Sequence, residues 1–366
     1  MTLTLTDVSK IYGKGAVNPI YAVRTMNLDV ADGEIIALLG SSGCGKTSTL
    51  RMVAGFETVT QGTIHLSGRR IDLLKPAQRG VAMAFEGYAL YPPLTIAENI
   101  GFAMRGERKG QAEIAAEVRD VADLLEIGPI LNRKPNGLSG GQQQRASLAR
   151  ALIRRADLHL LDEPMGQLEP QLRAVLRGRV KARIKERGYS AVLVTHDQGE
   201  ANAMADRIAV MEAGILQQFA TPFELRERPA NLFVGTFFGE PPMNTLSGRA
   251  TQQGYEVVDE TGAVTMRIAT TLPPGIYVGQ EVTLGLRPQR LMLGAGAFHG
   301  EVISNQWLGD HANVAFMAAG RMLVAIHPER FPARVGEDVA FDFDPMSLHV
   351  FDHETGQALA HGVHSS

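Results

Sequence analysis

Cysteine and tryptophan are nearly missing: Cys44 and Trp307 are the only examples among 366 residues. A lone thiol closes no internal disulfide, which excludes the stapled frameworks of small secreted domains. Long apolar runs are absent too. The longest, such as Ile35 to Leu39 and Ala191 to Val194, fall far short of the roughly 20 residues that span a bilayer as a helix. Any membrane role is therefore expected to be peripheral. Basic residues are in no excess, with 36 Lys plus Arg against 39 Asp plus Glu and a net charge of −3. A chain that tracks a nucleic-acid backbone needs the opposite balance, so no nucleic-acid partner is expected. The opening residues, MTLTLTDVSK, do not resemble a charged-then-apolar export signal, and a cytosolic location is expected. What is present is 45% hydrophobic residues, enough for a packed core, in a chain long enough for two domains.

Three short runs rich in Ile, Val and Leu punctuate the first 240 residues: Ile35 to Leu39, Leu158 to Leu161 and Ala191 to Thr195. Continuous apolar runs of this length predict strands buried on both faces of a parallel sheet. Leu172, Leu176, Val180 and Ile184 recur every four residues and predict an amphipathic helix, opened by Pro170 and ended by Gly188. Past Asn244 the texture changes to short alternating segments, among them Tyr255-Glu-Val-Val, Glu281-Val-Thr-Leu, Asn313-Val-Ala-Phe and Asp338-Val-Ala-Phe. These predict half-buried strands. The expected organisation is an α/β domain over 1–240 and a smaller, mostly β domain over 241–366, with the seam at Glu240-Pro241-Pro242.

The run Ile35 to Leu39 leads directly into Gly40-Ser41-Ser42-Gly43-Cys44-Gly45-Lys46-Thr47, and Ser48 to Ala54 can continue as a helix. Strand, glycine loop and helix supply the context that the GxxxxGK[ST] pattern needs to cradle phosphates. Loop N–H groups converge on phosphate oxygens, and the helix N-terminus adds positive potential. Lys46 would reach the β- and γ-phosphates, and the Thr47 hydroxyl would meet Mg²⁺. Cys44 reads as a small loop filler. A second strand, Leu158 to Leu161, ends in Asp162 and Glu163. The first carboxylate would hold Mg²⁺ through water, and the second would orient or deprotonate the attacking water. Strand alternation is expected to point the two in different directions. His196 follows the third apolar run and reaches the carboxyl edge of the sheet, where α/β proteins bind ligands.

Between cradle and carboxylates lies Leu138-Ser139-Gly140-Gly141-Gln142-Gln143-Gln144-Arg145. It resembles the LSGGQ signature of ATP-binding-cassette (ABC) ATPases. Ser139 would cap the following helix, so that its N-terminus and the N–H groups of Gly140 and Gly141 form a second anion site. The resemblance covers nearly the whole chain and is closest to the ATPase subunits of bacterial carbohydrate importers of the maltose and glycerol-3-phosphate type. It implies a P-loop NTPase fold with a helical subdomain about 88–155, followed by an OB-like (TOBE) regulatory domain. The implied ligands are ATP and Mg²⁺. The implied nucleotide contacts are Tyr12, stacked on adenine, the loop from Ser41 to Ser48, and Ser139 to Gln142 of the opposite subunit. Thr47, Glu86 and Asp162 would face the metal, and Lys46, Glu86, Glu163 and His196 the chemistry. The implied partners are a permease whose coupling helix docks near Glu86 to Ile100, a second ATPase subunit and, indirectly, a solute-binding protein. The implied place is the cytoplasmic face of the plasma membrane.

Three departures from the family pattern stand out. Glu86 occupies the place of a glutamine, the loop Met165-Gly-Gln-Leu-Glu169-Pro170 replaces a Ser/Thr-containing stretch ending in aspartate, and Gly13 to Tyr21 is longer than in the maltose-type subunit. The first two keep open a heterodimer with another ATPase, or a regulatory nucleotide binder; a soluble ABC ATPase acting on nucleic acid is the other alternative. His353, His361 and His364 read as a solvated tail rather than a metal site.

Overall fold

A computed structural model describes residues 2–13, 15, 18–105 and 109–362; His364 and part of the Gly13–Tyr21 segment lie outside them. The chain resolves into two units, 1–222 and 223–366.

In the first unit, β1 (Leu3–Tyr12), β2 (Ile20–Val30), β4 (Gln61–Leu66) and β5 (Arg69–Arg70) form an antiparallel sheet ordered β2-β1-β4-β5. A six-stranded sheet ordered β10-β9-β3-β8-β7-β6 holds β3 (Ile35–Gly40), β6 (Val81–Ala84), β7 (Leu158–Asp162), β8 (Ser190–Val194), β9 (Arg207–Glu212) and β10 (Ile215–Ala220). Its strands are parallel except β10, which returns antiparallel to β9. The three apolar runs are β3, β7 and β8, and every residue of these strands is buried, as a sheet covered on both faces requires. Leu3, Leu5 and Val8 of β1 share one apolar cluster with Ile36, Leu38 and Leu50, so the antiparallel sheet covers one face of the parallel one.

Helix α1 (Lys46–Ala54) leaves the glycine loop. Helices α2 (Ile96–Gly101), α3 (Gln111–Leu124) and α4 (Gly140–Leu152) occupy the stretch assigned to the helical subdomain. Helix α5 (Pro170–Glu186) buries Leu176, Val180 and Ile184, opens on Pro170, and is followed by Gly188 at φ 66°. Helix α6 (Gln198–Met204) follows β8, capped by the Asp197 side chain.

The second unit carries α8 (Leu232–Phe237) after α7 (Pro222–Glu227), which begins at the seam. Two antiparallel sheets follow. One, ordered β13-β12-β11-β14-β19-β20, contains β11 (Asn244–Thr251), β12 (Gly254–Val258), β13 (Val264–Ala269), β14 (Glu281–Leu286), β19 (His349–Asp352) and β20 (Ala358–Ala360). The other, ordered β17-β16-β15-β18, contains β15 (Met292–Trp307), β16 (Ala312–Ala318), β17 (Arg321–His327) and β18 (Asp338–Asp342). Their facing residues, including Leu284, Phe316 and Phe341, make one core. The seam falls upstream of the Pro241-Pro242 pair because 223–240 is held to the β domain by a buried cation. The Arg287 guanidinium donates to the carbonyls of Gly235 at 2.9 Å, Phe238 at 2.6 Å and Arg226 at 2.7 Å.

Candidate active site

Everything in the site hangs from the carboxyl edge of the parallel sheet. β3 ends at Gly40, whose φ of 158° and close approach to the Met211 carbonyl and Cys44 leave no room for a Cβ. The loop then turns through Gly43 and Gly45, at φ 78° and 103°, conformations that glycine adopts without steric cost. Ser41, Ser42 and Gly43 face solvent, whereas Cys44 is buried beneath them. The Lys46 ammonium is folded back over the loop, donating to the Gly40 carbonyl at 2.7 Å and the Ser41 carbonyl at 2.9 Å. Its positive charge thus stands at the mouth of the cradle. The Tyr12 hydroxyl lies 3.4 Å from Ser48 Oγ, and the Lys10 ammonium stands over its ring, 4.8 Å from the centroid.

Two strands away, Asp162 ends β7 and is 3% exposed. Burial, with the charge of Glu86 next in weight and that of Glu163 behind it, pushes its carboxyl up to about 6, against the opposing effects of Arg51 and a hydrogen bond from Thr47. One oxygen, Oδ1, is buried without a hydrogen-bond partner. An orphaned carboxylate oxygen beside a threonine hydroxyl fits a magnesium ion, which takes one or two protein oxygens and completes its shell with water and substrate phosphates.

Glu163 departs from its expected cause of divergence. The strand stops at Asp162, and Glu163 turns away in the left-handed region at φ 48° rather than by strand alternation. Its N–H donates to the Val194 carbonyl at 2.9 Å. His196 Nδ1 is 2.9 Å from Glu163 Oε1. The imidazole is 72% exposed, just beyond the buried Thr195.

Ser139 caps α4 reciprocally: its Oγ accepts from the Gln142 N–H at 3.3 Å, and Gln142 Oε1 accepts from the Ser139 N–H at 3.1 Å. Gly140 is exposed at this N-terminus and Gly141 half-buried; a Cβ on Gly141 would lie 3.0 Å from the Gln167 carbonyl. Glu169 stands at the N-cap of α5 without a capping hydrogen bond from its side chain. Glu86 is exposed just after β6, in a loop where Tyr88 and Ala89 take left-handed backbones, at φ 61° and 47°. Arg150 of α4 donates to the Ala89 carbonyl at 2.7 Å and to that of Tyr88 at 3.0 Å. Beside this loop opens a cleft of about 730 Å³, lined among others by Phe56, Phe85, Tyr91, Phe102, Arg105 and Arg154.

The pattern of the ABC transporter family matches residues 23–166, that of the MalK OB fold domain 239–291, and that of the TOBE domain 284–351. The trehalose/maltose import ATP-binding protein MalK of Thermococcus litoralis is 38% identical across 97% of this chain and 98% of its own length. The chain belongs to the ABC import ATPases. The sn-glycerol-3-phosphate import ATP-binding protein UgpC of Cereibacter sphaeroides is 39% identical across 98% of this chain and 99% of its own. Among solved structures, a dimeric ATP-binding cassette in a post-hydrolysis state with ADP and Pi is 28% identical, with a TM-score of 0.56, and covers 60% of this chain and 98% of that one.

For this ABC ATPase, the structure brings the cradle, Asp162, Glu163 and His196 to one sheet edge, and leaves Ser139–Gln142 on a separate helix N-terminus. Sequence reasoning singled out neither Gln144 nor Glu200. Gln144 bonds the Glu163 backbone, and Glu200 accepts from the Thr195 hydroxyl at 2.7 Å. Both are buried polar side chains; in the sequence each lies a few residues beyond a motif, and its burial is a tertiary fact.

Proposed function

We propose that this chain is the ATP-hydrolysing subunit of an importer for a sugar, polyol or sugar-phosphate-like solute. Its similarity to import ATP-binding proteins over almost the full length of both chains carries this reading. The alternatives, action on nucleic acid or regulation without turnover, have no comparable support.

In this reading the Lys46 ammonium and the loop N–H groups from Ser42 to Thr47 bind the nucleotide phosphates, and Tyr12 meets the adenine. Thr47 and Asp162 hold Mg²⁺, with Glu86 beside them; the ion, when bound, neutralises charge on the phosphates. Glu163 orients the attacking water and accepts its proton, a role that contributes on the order of a hundredfold or more to rate. His196 hydrogen-bonds that carboxylate and stands exposed where a γ-phosphate can be contacted. Ser139, Gly140, Gly141 and Gln142 complete the site of a second ATPase subunit, identical or different.

The cleft beside Glu86 suits the coupling helix of a permease: aromatic rings line it, and arginines at its rim complement an acidic helix. Ala89 and Tyr91, within the stretch from Glu86 to Ile100, are among its walls. No helix among the described residues is long and apolar enough to cross a membrane, which is compatible with a peripheral subunit at the cytoplasmic face. A solute-binding protein would act on it only through the permease. Reconstitution of the chain with its genomically adjoining permease in proteoliposomes is the test: ATP-dependent uptake of solute is expected, and robust hydrolysis with no uptake for any tested carbohydrate or polyol would remove the importer assignment.

A further inference from the structure

A water-orienting carboxylate works only when it is held to within tenths of an ångström of its productive position. Glu163 is attached to a backbone that does not hold itself there. Its φ of 48° lies in a region that a residue with a Cβ occupies only when its surroundings dictate it. Two contacts do so, one on the peptide before Glu163 and one on the peptide after it. The N–H reaches the Val194 carbonyl of β8, and the carbonyl accepts the Gln144 Nε2 amide at 2.7 Å. The other end of that amide, Gln144 Oε1, accepts the Gln167 N–H at 2.9 Å. One side chain therefore closes both ends of the loop that carries Glu163.

We propose that Gln144 is a positioning residue for Glu163, holding the loop of residues 163–167 to the helix that begins with the Ser139 motif. The chemistry asks for an amide at this point. A carbonyl and an N–H must be met together, so the side chain has to donate at one end and accept at the other. Glutamate keeps the acceptor and loses the donor, and methionine keeps the length and loses both. Gln144 is 4% exposed, so water does not replace a bond that is lost. Its backbone belongs to α4, five residues beyond the capping Ser139 and so little more than one helical turn from that N-terminus. A displacement of that N-terminus consequently reaches the carboxylate of the same chain through a single side chain. Gln167, the other residue held by Gln144, also lies against Gly141, so the same loop touches the motif a second time.

The inference rests on the role given above to Glu163, and a double-mutant cycle separates the two. Hydrolysis and Mg-ATP binding are measured on the full-length chain as wild type, Gln144→Met, Glu163→Gln and the double variant, with Gln144→Glu as a second probe that keeps the shape of the side chain. The expected result is a fall in kcat of about tenfold or more for each Gln144 variant, with KM and Mg-ATP affinity within about threefold of wild type. In the Glu163→Gln background, loss of Gln144 should change the residual rate by less than about twofold, because residues that act as a unit are not additive. Two results overturn the proposal: both Gln144 variants hydrolysing within about twofold of wild type, or an equal fall in both backgrounds. Near-normal turnover by Glu163→Gln alone would remove the role of Glu163, and with it the object that Gln144 positions. If Gln144→Met loses Mg-ATP binding, the cycle is read from Gln144→Glu.

Discussion

Nδ1 of His196 stands 2.9 Å from Oε1 and 2.8 Å from Oε2 of Glu163, so the imidazole meets both oxygens of the carboxylate. The pair joins the ends of two neighbouring strands, β7 and β8. Their parallel register places Asp162 beside Val194, and this brings the two turns together.

Glu163→Gln should retain Mg-ATP binding and hydrolyse roughly a hundredfold or more slowly, the contribution of a positioned base. Lys46→Ala should instead weaken nucleotide binding, because it removes the cation from the mouth of the cradle. Equilibrium binding with a fluorescent ATP analogue, set beside steady-state turnover, distinguishes the two; near-normal turnover of Glu163→Gln would exclude that residue as the base.

A site completed by a second subunit should show itself in solution. Mg-ATP should promote dimerisation of Glu163→Gln, which traps the nucleotide, and a further Ser139→Ala substitution should weaken that dimer by removing the cap of α4. Analytical ultracentrifugation with and without Mg-ATP reads it. A species that stays monomeric at saturating Mg-ATP, alone and mixed with a cognate ATPase subunit, would refute the shared site.

Glu86 is the second-ranked reason, after burial, that the Asp162 carboxyl rises to about 6. Glu86→Gln removes one negative charge, so Asp162 should remain ionised to lower pH and hold Mg²⁺ more tightly near pH 6. Basal hydrolysis should rise and depend less on the permease. Magnesium titrations of ATPase activity at pH 6 and pH 8 provide the check, and identical curves for variant and wild type at both values would make Glu86 a neutral replacement.

Glu200 is 2% exposed, and burial pushes its carboxyl from 4.5 up to about 7, only partly offset by the Thr195 hydroxyl and the charge of Arg177. The native state then binds more protons than the unfolded chain between these values, so this group's contribution to stability falls as pH rises through that window. The difference, on the order of 3 kcal/mol, is present in full above about 7. Glu200→Gln keeps an acceptor for Thr195 and carries no charge, so its thermal midpoint should exceed that of wild type at pH 8 and approach it near pH 5. Equal differences at the two pH values would show that Glu200 does not titrate in this way.

Local sequence determined those parts of this protein that need no distant partner. The glycine loop is legible because only particular residues tolerate its backbone, the cap at Ser139 because a serine and Gln142 satisfy each other across one turn, and β3, β7 and β8 because strands buried on both faces must be apolar throughout. The motifs in their order also identify the ABC ATPases, whose chemistry is concentrated in short segments. The antiparallel sheet of β1, β2, β4 and β5 was not legible in this way, since its pairing joins residues such as Leu3 and Leu66 whose register is set by packing over the parallel sheet. Packing likewise decided that 223–240 joins the β domain, through Arg287 and carbonyls far from it in sequence. It also decided where the Asp162 and Glu163 carboxylates stand: strand periodicity assigns them opposite faces, but the strand has ended, and a left-handed turn held by β8 and by Gln144 sets the direction of Glu163. Burial, hydrogen-bond partners and the shifted carboxyls of Asp162 and Glu200 depend on how much water the assembled chain excludes, and that is a property of the tertiary structure alone.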